Sequence, residues 1–576
     1  MFGVNCPLPM KKNNTFTIIL PLVICTSLAV GIYIGAYFWG TSLRGGELSR
    51  LKEVLGYIQE DYVDTVNTKA LINNGIEGML TKLDPHSVYI PKEDVAIANA
   101  QLEGGFHGIG VEFQIIQDTI CVVTAISGGP SESLGIRSGD KIVKVDGIQV
   151  TGIGITINDV FKKLRGEKGT KVKVSIWRKG MKKILDFVIT RDQITTHSVD
   201  VYYMIDAQTG YMKVSKFGEK TYDEFKEALT SLKSTGMKRL LLDVRDNPGG
   251  YLDKAIKIAD EFLGAKKLIV YTDGKGSKYD SKSFAESGGE FETGAVIVMV
   301  NEGSASASEI VSGALQDNDR ALIVGRRTFG KGLVQRPIEL SDGSELRLTI
   351  SKYYTPSGRC IQKPFSEDYE DDILKRYKNG EFYHADSIKL NDSLKFKTTK
   401  GRTVYGGGGI MPDVFVPRDT TMHSAFLGEL YSKNIIREVA LNFITENKVQ
   451  ISKIGMQDFI AHYQVPANLF QEVLRLATRE KIKYTPADLK RSTTLINIDL
   501  KAYIGRGAWG DKAFYPIFHQ QDELFKKALD ELVLRGLNEL SAGTVLGTLA
   551  VVSRFTEVVY DMNVVAKLRP KAEAAE

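Results

Sequence analysis

The chain has 576 residues, 43% hydrophobic and 25% charged, which describes ordinary globular material long enough for several domains. A formal net charge of +5 spread over that length leaves no nucleic-acid footprint. Four Cys are too few for a disulfide scaffold and the seven His fall in no ligand spacing, so neither a metal nor a cofactor is expected.

Residues 1–15 carry Lys11 and Lys12 ahead of 16–39, a nearly uninterrupted apolar and uncharged run long enough to span a bilayer as a helix. The two lysines favour a cytoplasmic N-terminus, and the lack of a small-x-small cleavage site favours an uncleaved signal-anchor. Leu22-Val-Ile-Cys25 falls short of a lipoprotein box, because bulky Ile24 stands where a small residue is wanted. The expectation is a single-pass protein of the cell membrane whose remaining chain lies outside the cytoplasm, in the periplasm if the cell is Gram-negative.

Residues 40–98 read as a small helical region, with Leu51, Val54, Leu55 and Ile58, then Leu71, Ile72, Ile76, Met79 and Leu80, at helical spacing. It runs into the turn Leu83-Asp-Pro-His-Ser87, where His86 reads as a structural hydrogen bonder rather than a ligand. From 99 to 192 the pattern changes to short strands with one helix at Ile157–Leu164. Here Ser133-Leu-Gly-Ile-Arg-Ser-Gly-Asp-Lys-Ile142 followed by Val145-Asp-Gly147 resembles a PDZ domain. PDZ domains hold a peptide's C-terminal carboxylate on loop amides while the peptide adds as a strand. By that analogy Gly108, Ile109 and Gly110 supply the amides, and Arg165 either senses the carboxylate or is a solvated surface side chain.

Residues 193–419 form the largest alternation of strands and helices. Leu240-Leu-Leu-Asp-Val-Arg-Asp-Asn-Pro-Gly-Gly250 is a strand entering a turn whose paired glycines expose backbone amides. Residues 365–400 are highly charged and read as a surface insertion. From 420 to 534 the chain reads as a helical extension with no catalytic constellation, and 535–576 as a mildly apolar tail.

The chemistry centres on 301–317. An apolar run at 295–300 leads through small residues into a helix, and Ser306 stands where the helix begins. Ser306-x-x-Glu309 fits a capping box, so on this stretch alone Ser306 is read as a cap. Lys331 changes that balance. Gly325-x4-Gly330-Lys331 fails as a phosphate-binding loop: Gly332 replaces the required Ser or Thr, Pro337 interrupts any following helix, and the only acidic strand end, Asp243, precedes the loop. A buried, glycine-flanked Lys serves otherwise as a general base, since desolvation lowers its pKa and a neutral amine can accept a Ser proton. Gly330 and Gly332 are expected to let it approach Ser306, and Gln335 to hold the amine.

Taken together, LDPHS, the PDZ signature, DVRDNPGG, NEGSASASE, GALQD, FGKGLVQ, YTPSGR and VYGGGGI resemble the carboxyl-terminal processing (tail-specific) proteases over about 51–415. The resemblance implies Ser306 as nucleophile, Lys331 as base, Gln335 as its orienting group and Asp317 as a residue that matters for activity. It implies oxyanion donors at the Ala307 amide and at Gly249 or Gly250, and a crotonase-like αβ core. The expected fold class is therefore multidomain α/β and α+β: membrane helix, PDZ domain, protease core and helical extension. Expected partners are proteins or peptides with free C-termini, the membrane, and a homo-oligomer or an adaptor. A non-catalytic PDZ scaffold is the alternative, opposed by the presence of both Ser306 and Lys331; an acyl-CoA enzyme is opposed by the expected location.

Overall fold

The computed structural model describes residues 3, 21, 23–33, 45–100, 102–126, 128–137, 139–365, 369 and 371–541. The expected membrane segment 16–39 lies partly outside them. Its residues 23–33 are helical and exposed, and no helix among the described residues is long and apolar enough to cross a membrane. The expected tail 535–576 is described only to Ser541.

The chain divides after Lys82. The first unit holds the helices Gly45–Asp61 and Thr68–Leu80, the second capped by the Asn67 side chain, which accepts from the Ala70 N–H at 3.1 Å. Residues 83–98, expected with these helices, belong to the second unit. There Val88–Ile90 pairs antiparallel with Glu345–Tyr354 and ties the Leu83–Ser87 turn to the protease core.

That core is built on a six-stranded sheet in the order 199–204, 209–214, 239–243, 295–300, 322–325, 414–415, parallel except for its first pair. Alternating residues leave the sheet on opposite faces. Leu240, Leu242, Val296, Val298 and Val300 pack beneath the helices Thr221–Ser234, Leu252–Asp260 and Ala307–Asp317. Leu241, Ile297 and Met299 face the other way, where Leu524, Phe525, Ala528 and Leu532 of the last helix, Glu523–Ser541, cover them. The C-terminal extension therefore supplies the second layer of the core as well as a helical cluster of its own over 426–517. A second sheet orders 88–90, 345–354, 268–274, 281–284, with 333–339 also paired to 345–354.

Residues 105–108 and 192–195 pair as a two-stranded ribbon at the two ends of the PDZ region. Its sheet runs 111–115, 120–125, 141–145, 171–177, 185–190, so 111–115 is an edge strand. The extension meets this region through Arg506–Glu112 at 3.6 Å, Lys179–Glu446 and Gln117–Glu480 at 3.4 Å.

The expectation of a surface insertion at 365–400 holds only in part: most of its described residues are exposed or half-buried. Within 365–400, Tyr369, Arg376, Glu381 and Phe382 are buried. Charge density misleads there because Arg376 and Glu381 satisfy each other and neighbouring backbone groups inside the protein.

Candidate active site

Strand Ala295–Val300 delivers the chain to a turn through Asn301–Ala305, and Ser306 sits between turn and helix with φ 53° and ψ −112°. This conformation is rarely occupied by a residue with a Cβ and costs of order 1–3 kcal/mol. The surroundings over-determine it. The Ser306 N–H donates to Glu309 Oε2 at 2.8 Å, and its carbonyl accepts the Glu309 and Ile310 N–H at 2.8 and 3.0 Å. Ser306 and Glu309 thus stand in the expected capping-box arrangement, but the Glu309 N–H is given to the Ser306 carbonyl and the Ser306 hydroxyl makes no side-chain cap hydrogen bond. Neighbouring Ser304 and Ser308 are fully buried and donate to the carbonyls of Val244 and Asn247.

Lys331 arrives on the loop before strand Leu333–Glu339. Two buried side chains tie its backbone to that of Ser306. Glu309 Oε2 accepts the Lys331 N–H at 2.9 Å as well as that of Ser306, while Oε1 takes the Gly330 N–H at 2.8 Å and the Thr328 hydroxyl at 2.5 Å. The Tyr353 hydroxyl lies 2.8 Å from the Lys331 carbonyl and 3.1 Å from the Ser306 carbonyl. Both Glu309 and Tyr353 are fully buried. Burial pushes the Glu309 carboxyl up to about 7 against its four donors. Burial also lowers the Lys331 amine from its ordinary value, with Asp84 and Glu309 opposing the shift and Arg347 adding to it. The amine donates to Gln335 Oε1 at 2.8 Å, and Gln335 Nε2 donates to the His86 carbonyl. No hydrogen bond joins the Ser306 hydroxyl to Nζ among the described residues; such bonds often tighten only when substrate is bound.

The flanking glycines are needed for another reason than expected. A Cβ on Gly332 would lie 2.8 Å from the Gln362 nitrogen, and one on Gly330 3.1 Å from the Gly409 nitrogen. They admit neighbouring backbone rather than Ser306.

Gly249 approaches the nucleophile turn most closely. A Cβ there, at φ 99°, would lie 2.8 Å from Ser306 Cβ and 2.9 Å from the Ala307 nitrogen. Its own N–H is already given to Asn247 Oδ1 at 2.9 Å. The Ala307 and Gly250 N–H groups donate to no protein partner among the described residues. Ala307 is the first residue of its helix, whose leading amides are unpaired and carry partial positive charge.

Asp317 is not brought to this site. It ends the helix that Ser306 begins, ~15 Å along the axis. There it forms a fully buried ion pair with Arg359 at 2.7 Å and accepts the Ser357 N–H at 3.0 Å. In the PDZ region Gly108 closes a strand rather than lying in the loop, which narrows to Ile109 and Gly110. The carbonyls of these two accept Ser131 and Ile126, and their N–H groups have no partner among the described residues. Arg165 is not solvated as a free surface side chain: its guanidinium lies 4.2 Å from the Phe106 ring and 3.9 Å from that of Phe161. Its Nε is buried without a hydrogen-bond partner.

Sequence reasoning missed Tyr353 and the acceptor role of Glu309. The second carried a partial signal, since a Glu three residues after the turn was visible but pointed to a cap. Tyr353 lies on an alternating strand with nothing local to single it out.

Core and PDZ region together define a serine-type peptidase joined to a PDZ domain. The profile of peptidase family S41 matches residues 208–371, that of a PDZ domain 122–178, and that of the activating protease CtpB N-terminal domain 40–94. Residues 426–510 match a family of unknown function. A carboxy-terminal-processing protease of Bartonella bacilliformis is 37% identical over 377 residues, covering 65% of this chain and 85% of the relative. A probable CtpA-like serine protease of Staphylococcus saprophyticus is 33% identical over 356 residues, covering 61% and 71%. A solved photosystem II D1 C-terminal processing protease is 27% identical with a TM-score of 0.34, covering 66% of this chain and 88% of that one. The chain belongs to the carboxy-terminal-processing proteases of peptidase family S41.

Proposed function

We propose that this protease uses Ser306 as nucleophile and Lys331 as general base to cleave proteins at or near their C-termini. The observation that carries the reading is the shared anchoring of both residues on Glu309 Oε2 and the Tyr353 hydroxyl, beside an amine whose pKa is lowered by burial. Ser306 Oγ attacks the scissile carbonyl carbon while its proton passes to neutral Lys331 Nζ. The Ala307 and Gly250 N–H groups hold the developing oxyanion, and Gly249 allows the close approach. The protonated amine then gives its proton to the leaving amine, and water enters by the same route to release the acyl group. Gln335 orients the amine. Asp317 acts at a distance, through the Arg359 pair that anchors the helix's far end.

Substrate selection is assigned to the PDZ domain. A C-terminal carboxylate would rest on the Ile109 and Gly110 amides, and the peptide would add to edge strand 111–115. Arg165, desolvated between two rings, supplies positive charge beside that position. The αβ core is read as crotonase-like. Residues 16–39 are read as a signal-anchor that tethers the enzyme to the membrane, with catalysis on the extracytoplasmic side.

The test is cleavage of an unfolded protein by Ser306→Ala and Lys331→Arg. Both are expected to be inactive, and near wild-type cleavage by either would overturn the dyad.

A further inference from the structure

The loop 327–332 that carries Lys331 is held on one side by Glu309. On its other side lie Gln362, Lys363, Tyr369, Arg376 and Glu381, which hold it by both backbone and side-chain contacts. Arg376, in the helix Asp372–Lys378, has a side chain only 4% exposed. It donates to the Thr328 carbonyl at 3.0 Å, to the Arg327 carbonyl at 2.6 Å, and to Glu381 at 2.8 Å. Glu381 in turn accepts the Arg327 guanidinium, from Nη2 on Oε1 at 2.6 Å and Oε2 at 2.8 Å and from Nε on Oε2 at 3.2 Å. The Lys363 N–H donates to the Gly330 carbonyl at 3.0 Å, and its ammonium lies 4.1 Å from each of the Phe329 and Tyr369 rings. Gln362 accepts the Gly332 N–H at 2.8 Å.

A second path reaches the amine itself. Gln362 Nε2 donates to the Tyr369 hydroxyl at 3.2 Å, and that hydroxyl lies 2.7 Å from His86 Nε2. His86 offers its carbonyl to Gln335, which holds Lys331 Nζ. Burial, and then the charge of Lys331, lower the His86 imidazole to about 4, so it is neutral near pH 7. The chain of contacts therefore runs from the loop at Gly332 out through Gln362, Tyr369 and His86 and back to the Lys331 amine.

We propose that Gln362, Lys363, Tyr369, Arg376 and Glu381 clamp the Lys331 loop, with Arg376 and Tyr369 as positioning residues for the peptidase reaction. Arg376 sets the loop by its carbonyls; Tyr369, through His86 and Gln335, sets the direction of the amine. The proposal rests on Lys331 as the base. A buried guanidinium whose charge is met by Glu381 gives the loop one register, because a shift takes the Arg327 and Thr328 carbonyls from its remaining N–H groups in a desolvated site. Neither residue touches Ser306 or the unpaired Ala307 and Gly250 amides, so loosening the clamp should spare substrate binding and slow proton transfer.

The test uses the full chain with Tyr369→Phe, Arg376→Lys and Glu381→Gln, assayed on a quenched fluorescent peptide with a free apolar C-terminus. Tyr369→Phe keeps the ring on Lys363 and removes only the hydroxyl, so it remains informative if the Arg376 variant fails to fold. The charged and titratable groups facing the amine are Asp84 on the 83–87 turn, Glu309 on its helix and Arg347 on strand 345–354, none of which is substituted, together with neutral His86, which loses its Tyr369 partner in Tyr369→Phe. The expected result is kcat lower by about tenfold with KM within about twofold, since small misplacement of a catalytic group is costly. The acid limb of the pH–rate profile should move upward, because a better hydrated amine keeps its proton longer. Profiles superimposable on wild type would overturn the clamp, whether or not the melting temperature falls. Lys331→Ala, run in single turnover alongside, separates the two readings. Activity retained there overturns the base itself; an inactive Lys331→Ala beside clamp variants of wild-type profile overturns the clamp alone.

Discussion

Glu309→Gln is the substitution whose consequence is most fully set by the geometry. The carboxylate is fully buried and faces only donors: two backbone N–H groups on Oε2, a third on Oε1, and the Thr328 hydroxyl. An amide of the same shape must turn its NH2 toward one pair. If it keeps oxygen toward Ser306 and Lys331, the Gly330 N–H faces a donor, and the Thr328 hydroxyl cannot easily turn because it already accepts the Ile410 N–H at 2.6 Å. The opposite flip orphans both Ser306 and Lys331. One buried unsatisfied N–H costs about 1–3 kcal/mol. If that cost falls on assembling the site, kcat/KM drops by roughly 5- to 150-fold at ~1.36 kcal/mol per decade. The assay is kcat/KM on an unfolded peptide, with urea melts of both proteins. The melts carry a sign of their own. The folded carboxyl titrates near 7 against an ordinary 4.5, so the native state binds the extra proton between those values. Wild-type stability from this group is therefore full below that window and declines as pH rises through it. The Gln variant lacks that dependence, and its stability deficit should shrink from pH 4.5 toward pH 7. A folded Gln variant with kcat/KM within about twofold of wild type would refute the view that this carboxylate registers Ser306 against Lys331.

Ser306→Ala should abolish turnover in a folded protein, while Ser304→Ala and Ser308→Ala lose about 1 kcal/mol each from a buried hydrogen bond and keep activity; melts and turnover separate the cases. Activity should rise with pH through an ionisation belonging to Lys331, and Lys331→Arg should be inactive at every pH because a guanidinium stays protonated. Amidating a peptide's C-terminus should weaken its capture by the PDZ domain, read as higher KM; equal KM for free and amidated forms counts against carboxylate reading. Asp522→Asn breaks a contact of 2.7 Å between the extension and Arg245, itself paired with buried Asp243, and should cost about 1–3 kcal/mol in a urea melt.

Much of this site is legible in the residues because its elements are local. Six consecutive apolar residues at 295–300 followed by small ones can hardly be other than a buried strand meeting a sharp turn. Lys331 stands out because its glycines are wrong for a phosphate loop. What stays hidden is non-local. Nothing near Tyr353 says that it will bridge two carbonyls from other elements. The choice between Gly249 and Gly250 depends on which N–H Asn247 occupies. Asp317 is a different failure, since eleven residues of helix already place it far from Ser306 by arithmetic.

The charged stretch 365–400 reads as surface because charge is a surface signal on average, and the helical extension beyond 420 carries no motif that assigns it a place. Arg376 is nevertheless buried against backbone carbonyls of the Lys331 loop. Leu524, Phe525, Ala528 and Leu532 show helical spacing in sequence, but only the fold reveals that their partner is the far face of the catalytic sheet.

The central claim is that Ser306 is a nucleophile activated by Lys331. The most direct measurement is covalent: incubate the full chain with a peptidyl phosphonate that mimics the tetrahedral intermediate, then map the adduct by peptide mass spectrometry. The account predicts one adduct, on Ser306, absent from Ser306→Ala and formed far more slowly in Lys331→Arg than in wild type. An adduct on Ser304 or Ser308, or equal labelling rates in wild type and Lys331→Arg, would contradict it.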